Sequence, residues 1–438
     1  MNELQLEEIR IINKYYDADG NLCFDVEPID TPKECPYCGG TCVKNGSIDR
    51  LVRDLPILGE MTHIIIKGNR FMCNECKKTF VKEFKFVDSK AKITNRLKDK
   101  IQELSLDRTL QQIAADYNLA ISTVSKISDL YVNELEKKRV RYAPRVLGID
   151  EAHLSREMRG VFVDIEKRGI IDIIPSRTKT AVIDWLDKTP DNKKIEIVTM
   201  DMWKAYKDAV ELCLPNAHIV VDRFHVAKAV NVCLDNERKK VVKSKTPASR
   251  FKIKYLLLKR ANNLTMSEFM ELATIFDDYP EIKEIHAVKE ELLSIYDCDN
   301  RKDAVDMYDK WLNGLSSYSK KVYSEVIKSI ENWHTEIFNF FDYRYTNGVT
   351  EALNNTIKSI EKSGRGYSFK MLRARVLYGT PAYKRAKFKT VKKKPVYHPG
   401  GHSYVAEVVP LTGIIKTELI HGDYVDIDEL LTYLEEKL

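Results

Sequence analysis

No apolar run in the 438-residue sequence approaches the roughly 18 residues that a membrane-spanning helix needs. The opening stretch, MNELQLEEIR, lacks the basic and apolar regions of a secretory leader. Both absences predict a cytoplasmic protein without a membrane partner. Glycine (18) and proline (14) are too scarce for a collagen-like or largely disordered chain. Cysteine is sparse beyond residue 76: six of the nine (Cys23, Cys35, Cys38, Cys42, Cys73, Cys76) precede that point, and the odd total argues against a disulfide framework. Net charge is also small. With 71 Lys and Arg against 65 Asp and Glu, composition permits a nucleic-acid partner without demanding one.

What is present divides by pattern, and the chain is too long for a single core. Residues 1–30 hold two β-prone stretches around Asp19-Gly20, a hairpin signal. The paired cysteines occupy 31–88, and 89–143 turn helical. Residues 144–240 alternate strand and helix, which indicates an α/β sheet. A helical insertion is expected over 241–345 and a final helical part of the same core over 346–382. The tail, 383–438, opens with a basic run (Lys384, Arg385, Lys387, Lys389, Lys392, Lys393, Lys394) and closes with an acidic segment.

Cys35-Pro36-Tyr37-Cys38 and Cys73-Asn74-Glu75-Cys76 form two CxxC knuckles. Each knuckle lets two thiolates of one tight turn reach the same ion, and two of them complete a tetrahedral site. One structural Zn²⁺ on a zinc ribbon is the expectation, with Lys77-Lys78-Thr79-Phe80 opening a return strand. Cys-Pro-Tyr-Cys also fits a glutaredoxin-type redox motif. Against that reading, Gly39-Gly40 is a poor helix start and no βαβ unit surrounds it. Cys42 is a less regular substitute ligand. Cys23, Cys213, Cys233 and Cys298 read as buried free thiols.

Thr109 to Asp129 reads TLQQIAADYNLAISTVSKISD. Leu110, Ile113 and Ala114 face inward on a first helix that breaks near Asn118; Ser122 would cap a second helix burying Val124 and Ile127. The pattern suits a helix-turn-helix that places its second helix in a DNA major groove, and it also suits an ordinary helical hairpin. Basic residues on both sides (Lys90, Lys92, Arg96, Lys98, Lys100, then Lys137, Lys138, Arg139, Arg141, Arg145) favour DNA. Ser122, Thr123, Ser125 and Lys126 are then the contact candidates. A second basic stretch, 238–260, includes Lys239, Lys240, Lys243 and Lys245 and holds no acid. It reads as a phosphate track or, more blandly, as a solvated helix face.

The α/β region begins with VLGIDEAH, followed by the strands GVFVDIE and GIIDIIP, the helix TAVIDWLDK, the strand IEIVTM, the helix WKAYKDAVELC and the strand AHIVVD. Three consecutive strands, then alternating helices and strands, is the order of a ribonuclease-H-like core. Asp150 and Asp201 each end an apolar strand, where an unpaired carboxylate is costly. Either can cap a following helix. Together they repel unless divalent cations compensate them, and two Mg²⁺ or Mn²⁺ ions would serve both oxygens of a phosphodiester displacement.

The segments VLGIDEAH, VTMDMWKAY, IVVDRFHVAK, TNGVTEALNNTIKSIEKSGRGY and FKMLRARVLY resemble bacterial insertion-sequence transposases of the ISL-three type, over roughly residues 30–380. The resemblance implies a DDE transposase whose acidic triad falls on Asp150, Asp201 and Glu351. It also implies double-stranded DNA as substrate (the element's terminal inverted repeats and a target), action at the bacterial nucleoid, and a homodimer or larger assembly. Asp222, Arg223 and His225 occupy a DRFH motif that can orient a metal ligand, touch DNA or simply pack. Asn354, Asn355 and Lys358 follow Glu351, and the last two share its helical face as supporting candidates. Alternation turns Glu151 away from Asp150. Trp185, Trp203, Trp311 and Trp333 are assigned to packing. Two other readings stay open: a transposase-derived DNA-binding regulator without catalysis, and a ribonuclease-H-like nuclease. Residues 400–438 run past the resemblance, and no role is assigned to them.

Overall fold

The computed structural model describes residues 3–242, 246–364 and 366–379. Its first sheet contains β1 (Ile9–Tyr16), β2 (Leu22–Pro28), β3 (Cys42–Ile57), β4 (Glu60–Cys73) and β5 (Thr79–Val81). Their order is β1-β2-β4-β3, with β5 added beside β4. Gly20, at φ +79°, makes the turn between β1 and β2 that the sequence announces. Alternation puts Leu22, Phe24 and Val26 of β2 into one core with Val52 of β3 and Ile64 and Ile66 of β4. Segments 1–30 and 31–88, separate by pattern, therefore share a sheet and a core, joined by parallel pairing of β2 with β4.

Three helices follow: α1 (Asn95–Ser105), α2 (Leu110–Asp116) and α3 (Ile121–Lys138). Thr109 and Gln112 form a reciprocal capping box at the start of α2. Asn118 makes the break in the left-handed region at φ +48°, which Asn tolerates better than most residues. The expected cap at Ser122 is corrected. The α3 helix begins at Ile121 behind Ala120, whose carbonyl already accepts from the Thr123 N–H at 2.9 Å, so Ser122 lies inside the first turn. Leu97, Ile101, Ile113, Ala114 and Val124 form the core of this unit. Buried Asp54 of β3 holds it to the first sheet, accepting from Thr94 Oγ1 and Arg96 Nε, both at 2.7 Å.

The second sheet contains β6 (Val146–Leu154), β7 (Glu157–Asp164), β8 (Gly169–Ile174), β9 (Ile197–Met200) and β10 (His218–Val221). Its order is β10-β9-β6-β7-β8; β6, β7 and β8 form an antiparallel meander, and β9 and β10 run parallel to β6. On one face, α4 (Lys179–Asp187) and α5 (Lys204–Cys213) pack Trp185, Leu186, Tyr206 and Val210 over Leu147, Ile149, Val198 and Met200.

After β10 the chain enters α6 (Arg223–Val241), then α7 (Pro247–Leu258), α8 (Met266–Asp278), α9 (Pro280–Ser294), α10 (Arg301–Gly314), α11 (Ser317–Val322), α12 (Ser324–Asn332), α13 (His334–Phe338) and α14 (Phe340–Tyr343). It returns to the second sheet through α15 (Gly348–Gly364) and α16 (Phe369–Tyr378). Helix α15 lies close on β6 because position 148 has no side chain: a Cβ there would stand 2.4 Å from Thr350 Oγ1 and 2.7 Å from Ile165 Cδ1. Its start is held to β9 by Thr199 Oγ1 donating to buried Asn347 Oδ1 at 3.1 Å.

Buried Asp172 of β8 gathers the Arg373 guanidinium at 2.8 Å, Arg139 at 3.2 Å and the Trp185 indole N–H at 3.0 Å. Arg373 also pairs with Glu136 of α3 at 2.7 Å, which links the helical unit to the second sheet. No helix among the described residues is long and apolar enough to cross a membrane.

Candidate active site

The parallel register of the second sheet brings three carboxylates to one row. Ile149 of β6 pairs with Met200 of β9, and Met200 with Val221 of β10. The next residue on each chain is acidic: Asp150, Asp201 and Asp222. Strand β6 does not end at Asp150, as the sequence suggests; it continues to Leu154 because β7 still pairs with it, Asp150 opposite Val161. Glu351 comes from the first turn of α15, placed against β6 by the contact at Gly148.

His225, in the first turn of α6, stands among these acids. Its Nε2 lies 2.8 Å from Asp201 Oδ1 and 3.8 Å from Glu351 Oε1. Burial opposes a charge on the ring, yet Asp201, Asp222 and Glu351 together raise its pKa above the ordinary histidine value. Asp222 is buried and caps α6, accepting from the Phe224 N–H at 3.2 Å. Burial raises its carboxyl pKa, while that N–H and His225 pull the other way. Arg223 has its guanidinium over the Phe340 ring, 5.9 Å from the centroid. The structure thus gives members of the DRFH motif three different contacts: a cap, a packing cation and an imidazole between two acids.

Burial, then the charge of Asp201, raises the Asp150 carboxyl to about 7. Its oxygens are held by the Glu151 N–H at 2.7 Å and by Asn354 Nδ2 at 2.7 Å. The Glu351 carboxyl is also raised, by burial and then Asp222, with His225 and Lys228 opposing. The oxygen donors Asp150, Asp201, Asp222 and Glu351 therefore share one neighbourhood and outnumber the cations His225 and Lys228 there, though they do not draw together as tightly as the knuckle cysteines do. This donor chemistry suits divalent cations of the Mg²⁺ class.

Asn354 is the residue that sequence reasoning passed over. Asn355 and Lys358, expected on the face of Glu351, are exposed, whereas Asn354 is buried against Asp150. Residues three and four after Glu351 lie on either side of its axis line, and the close seat on Gly148 selects the first. Trp203 also departs from expectation. Trp185, Trp311 and Trp333 are buried, but Trp203 is 40% exposed. Glu151 does turn from Asp150, toward Arg177 at 2.5 Å.

The four knuckle cysteines converge in the first sheet. Cys35 and Cys76 sulfurs are 3.7 Å apart, and those of Cys38 and Cys73 are 3.5 Å apart. All four lie within 4.8 Å of one another. A tetrahedral ion with Zn–S bonds of about 2.3 Å sets its sulfurs roughly 3.8 Å apart, so the group fits zinc. Cys42 is excluded from the set by direction: its thiol donates to the Pro32 carbonyl at 3.3 Å. Of the remaining cysteines only Cys23 is buried; Cys213, Cys233 and Cys298 are half-buried.

On α3, Ser122, Thr123 and Lys126 are exposed and Ser125 is half-buried. The basic stretch 238–260, from the last turn of α6 through α7, is more paired than its sequence implies. Lys239 pairs with Asp235 at 2.9 Å, Lys240 with Glu237 at 2.6 Å, Lys252 with Glu271 at 2.7 Å and Lys259 with Glu268 at 3.1 Å. The acids come from one turn earlier and from α8. Lys243, Lys245, the 384–394 run and the whole acidic ending lie outside the described residues.

A family model described as a transposase, for DDE proteins of the ISL3 kind, matches residues 147–376, more than half of the chain. A second, described as the zinc-finger of transposase IS204/IS1001/IS1096/IS1165, matches residues 31–76. The chain is similar to the transposase for insertion sequence element IS1001 of Bordetella parapertussis: 22% identical over 366 residues, covering 80% of this chain and 89% of that protein.

Proposed function

This chain belongs to the insertion-sequence transposases of the ISL3 type, and from that premise we propose that it cuts DNA at the terminal inverted repeats of its element and joins the cut ends to target DNA. The observation that carries the reading is the acidic row. Asp150 and Asp201 follow directly on Ile149 and Met200, a registered residue pair of two parallel strands, and Glu351 approaches the same end of the sheet from α15. The strand order β10-β9-β6-β7-β8, with β7 antiparallel between β6 and β8, agrees with a ribonuclease-H-like core.

Asp150, Asp201 and Glu351 are the residues that would hold two divalent ions, Mg²⁺ or Mn²⁺. Such ions supply Lewis-acid activation of the attacking oxygen and neutralise the leaving one. The chain's own residues do the positioning. Asn354 fixes the orientation of Asp150, and His225 offsets Asp201 and Glu351. In the first step a water oxygen bonds to phosphorus at the element end and the P–O3′ bond breaks, leaving a 3′-hydroxyl and a 5′-phosphate. In the second, that 3′-oxygen bonds to a target phosphorus and displaces a target 3′-hydroxyl.

The helical unit α1–α3 is proposed to bind the repeats as a helix-turn-helix, with Ser122, Thr123 and Lys126 of α3 toward the DNA and Ser125 beside them. The thiolate group is proposed to hold one structural Zn²⁺. Joining two ends to one target calls for at least two copies of the chain. A labelled element end incubated with protein and Mg²⁺ decides among no cutting, cutting alone, and cutting with joining. Cutting with joining supports the proposal. Full nicking by Asp150→Asn, Asp201→Asn or Glu351→Gln would remove the triad from it.

A further inference from the structure

Beside the acidic row stands an aromatic residue that helix stability does not account for. Trp203 occupies the N-cap of α5, with φ −112° and ψ 109°, and its side chain caps nothing. Ser, Thr, Asp or Asn is strongly favoured at that position, since their oxygens accept from the free N–H groups of the first turn. Trp203 instead leaves a large ring 40% exposed. Its backbone N–H bonds to the Asp201 carbonyl at 2.7 Å, so the ring is anchored two residues from a proposed metal ligand.

The ring does not stand alone. The Arg177 guanidinium lies over it, 4.7 Å from the ring centroid, and is fixed in turn by Glu151 at 2.5 Å. Glu151 follows Asp150 on β6, with its side chain turned to the other side of the strand. Tyr206, three residues after Trp203 on α5, is fully buried and so seats this end of the helix on the sheet. Indole and guanidinium are the two side-chain planes on which nucleobases stack, and stacking tolerates any base because every base has a π-face. Phe224, one residue before His225, adds a second ring, 37% exposed, on the side of α6.

We propose that Trp203, backed by Arg177, stacks a nucleobase flanking the scissile phosphate after it leaves the duplex stack. The proposal rests on the cleavage reading above and goes beyond it by naming how the strand is held. A base that leaves the stack beside the scissile phosphate gives up its pairing and stacking energy, and a stacking surface at the site offsets that cost.

The test compares Trp203→Ser with Trp203→Phe. Serine supplies the missing helix cap, so Trp203→Ser should fold at least as well as the wild type; its unfolding temperature checks this. Two substrates are used: a fully paired element end, and one in which the base flanking the scissile phosphate faces a mismatch. Trp203→Ser should cut the paired end about tenfold or more slowly, and Trp203→Phe should keep most of the rate. The mismatched end should bring Trp203→Ser back to within a few-fold of wild type, because the cost that stacking offsets is already removed. Wild-type cutting rates for Trp203→Ser on the paired end, or no rescue by the mismatch, would overturn the proposal. Binding gives a readout independent of cutting: the wild type should prefer the mismatched end and Trp203→Ser should not. A wild type that cuts neither end sinks the catalytic reading, while this preference still decides the stacking.

Discussion

Asn354 Nδ2 donates to Asp150 Oδ2 at 2.7 Å, joining helix α15 to strand β6 across 204 residues of sequence. Asn354 Oδ1 is buried with no partner among the described residues, so within them the amide is committed to this one strong contact. A neutral donor suits a carboxylate that must stay available: an Arg or Lys in its place would neutralise the acid and compete with a cation. Asn354→Ala should leave Asp150 free to turn. The Mg²⁺ concentration for half-maximal cleavage should rise severalfold, with about a tenfold loss of rate at low Mg²⁺. Affinity for the element end, measured without divalent ions, should stay the same. An unchanged metal requirement would reduce Asn354 to a packing residue.

The Asp150 carboxyl, raised to about 7 by burial and Asp201, sets a sign for both stability and activity. The folded protein holds this proton more tightly than the unfolded chain, whose carboxyl titrates near the ordinary value of 3.8. Its contribution to stability is therefore most favourable at low pH and is lost as pH rises from about 4 to 7. Without divalent ions, Asp150→Asn should melt several degrees higher than wild type at pH 8, and the gap should shrink toward pH 5. Mg²⁺ should raise the melting temperature of the wild type at pH 8 and leave Asp150→Asn unmoved. Proton and cation compete for this carboxylate, so the Mg²⁺ concentration for half-maximal cleavage should fall as pH rises from about 6 to 8. A lower melting temperature for Asp150→Asn at pH 8 would contradict the assigned direction.

Zinc should be found at about one ion per chain and should disappear in Cys35→Ser and Cys73→Ser, measured by elemental analysis of the purified protein. Both residues are buried at the edge of the first sheet, so the loss should also unfold the segment between the knuckles and expose it to protease. Cys42→Ser is the control, since that thiol points to the Pro32 carbonyl and should leave the zinc content intact.

The sequence was most informative where one residue decides one local structure. Asp150 and Asp201 stand out as carboxylates beside apolar strand residues, where either also suits a helix cap and the resemblance pairs them, and the CxxC knuckles because two thiolates in one turn have a single favoured ligand geometry. Glu351 is different. Nothing in its helix marks it apart from other surface acids, and only the resemblance picked it out; its place follows from a seat on β6 that no local pattern encodes. Asn354 was missed for the same reason, since helical spacing alone cannot choose between positions three and four. Trp203 was misassigned because aromatic residues near a helix start are usually core. The basic stretch 238–260 shows its charge in the sequence but not its pairing, because the compensating acids lie one turn earlier and on a separate helix, outside the run itself.

That seat makes the last prediction. Gly148 is the point where β6 admits α15, and a Cβ added there meets Thr350 Oγ1 and Ile165 Cδ1 at separations real side chains do not show. Gly148→Ala should therefore push the start of α15 outward, carrying Glu351 and Asn354 from the Asp150 row. The sheet has other sources of strength in β7, β8 and the α4–α5 face, so the chain should still fold with a modest drop in melting temperature. Cleavage should fall about a hundredfold, since small misplacements of reacting groups are costly. Adding Thr350→Ala removes the nearer of the two obstructing atoms and should restore part of the rate. Wild-type activity in Gly148→Ala would mean that α15 does not owe its position to this contact.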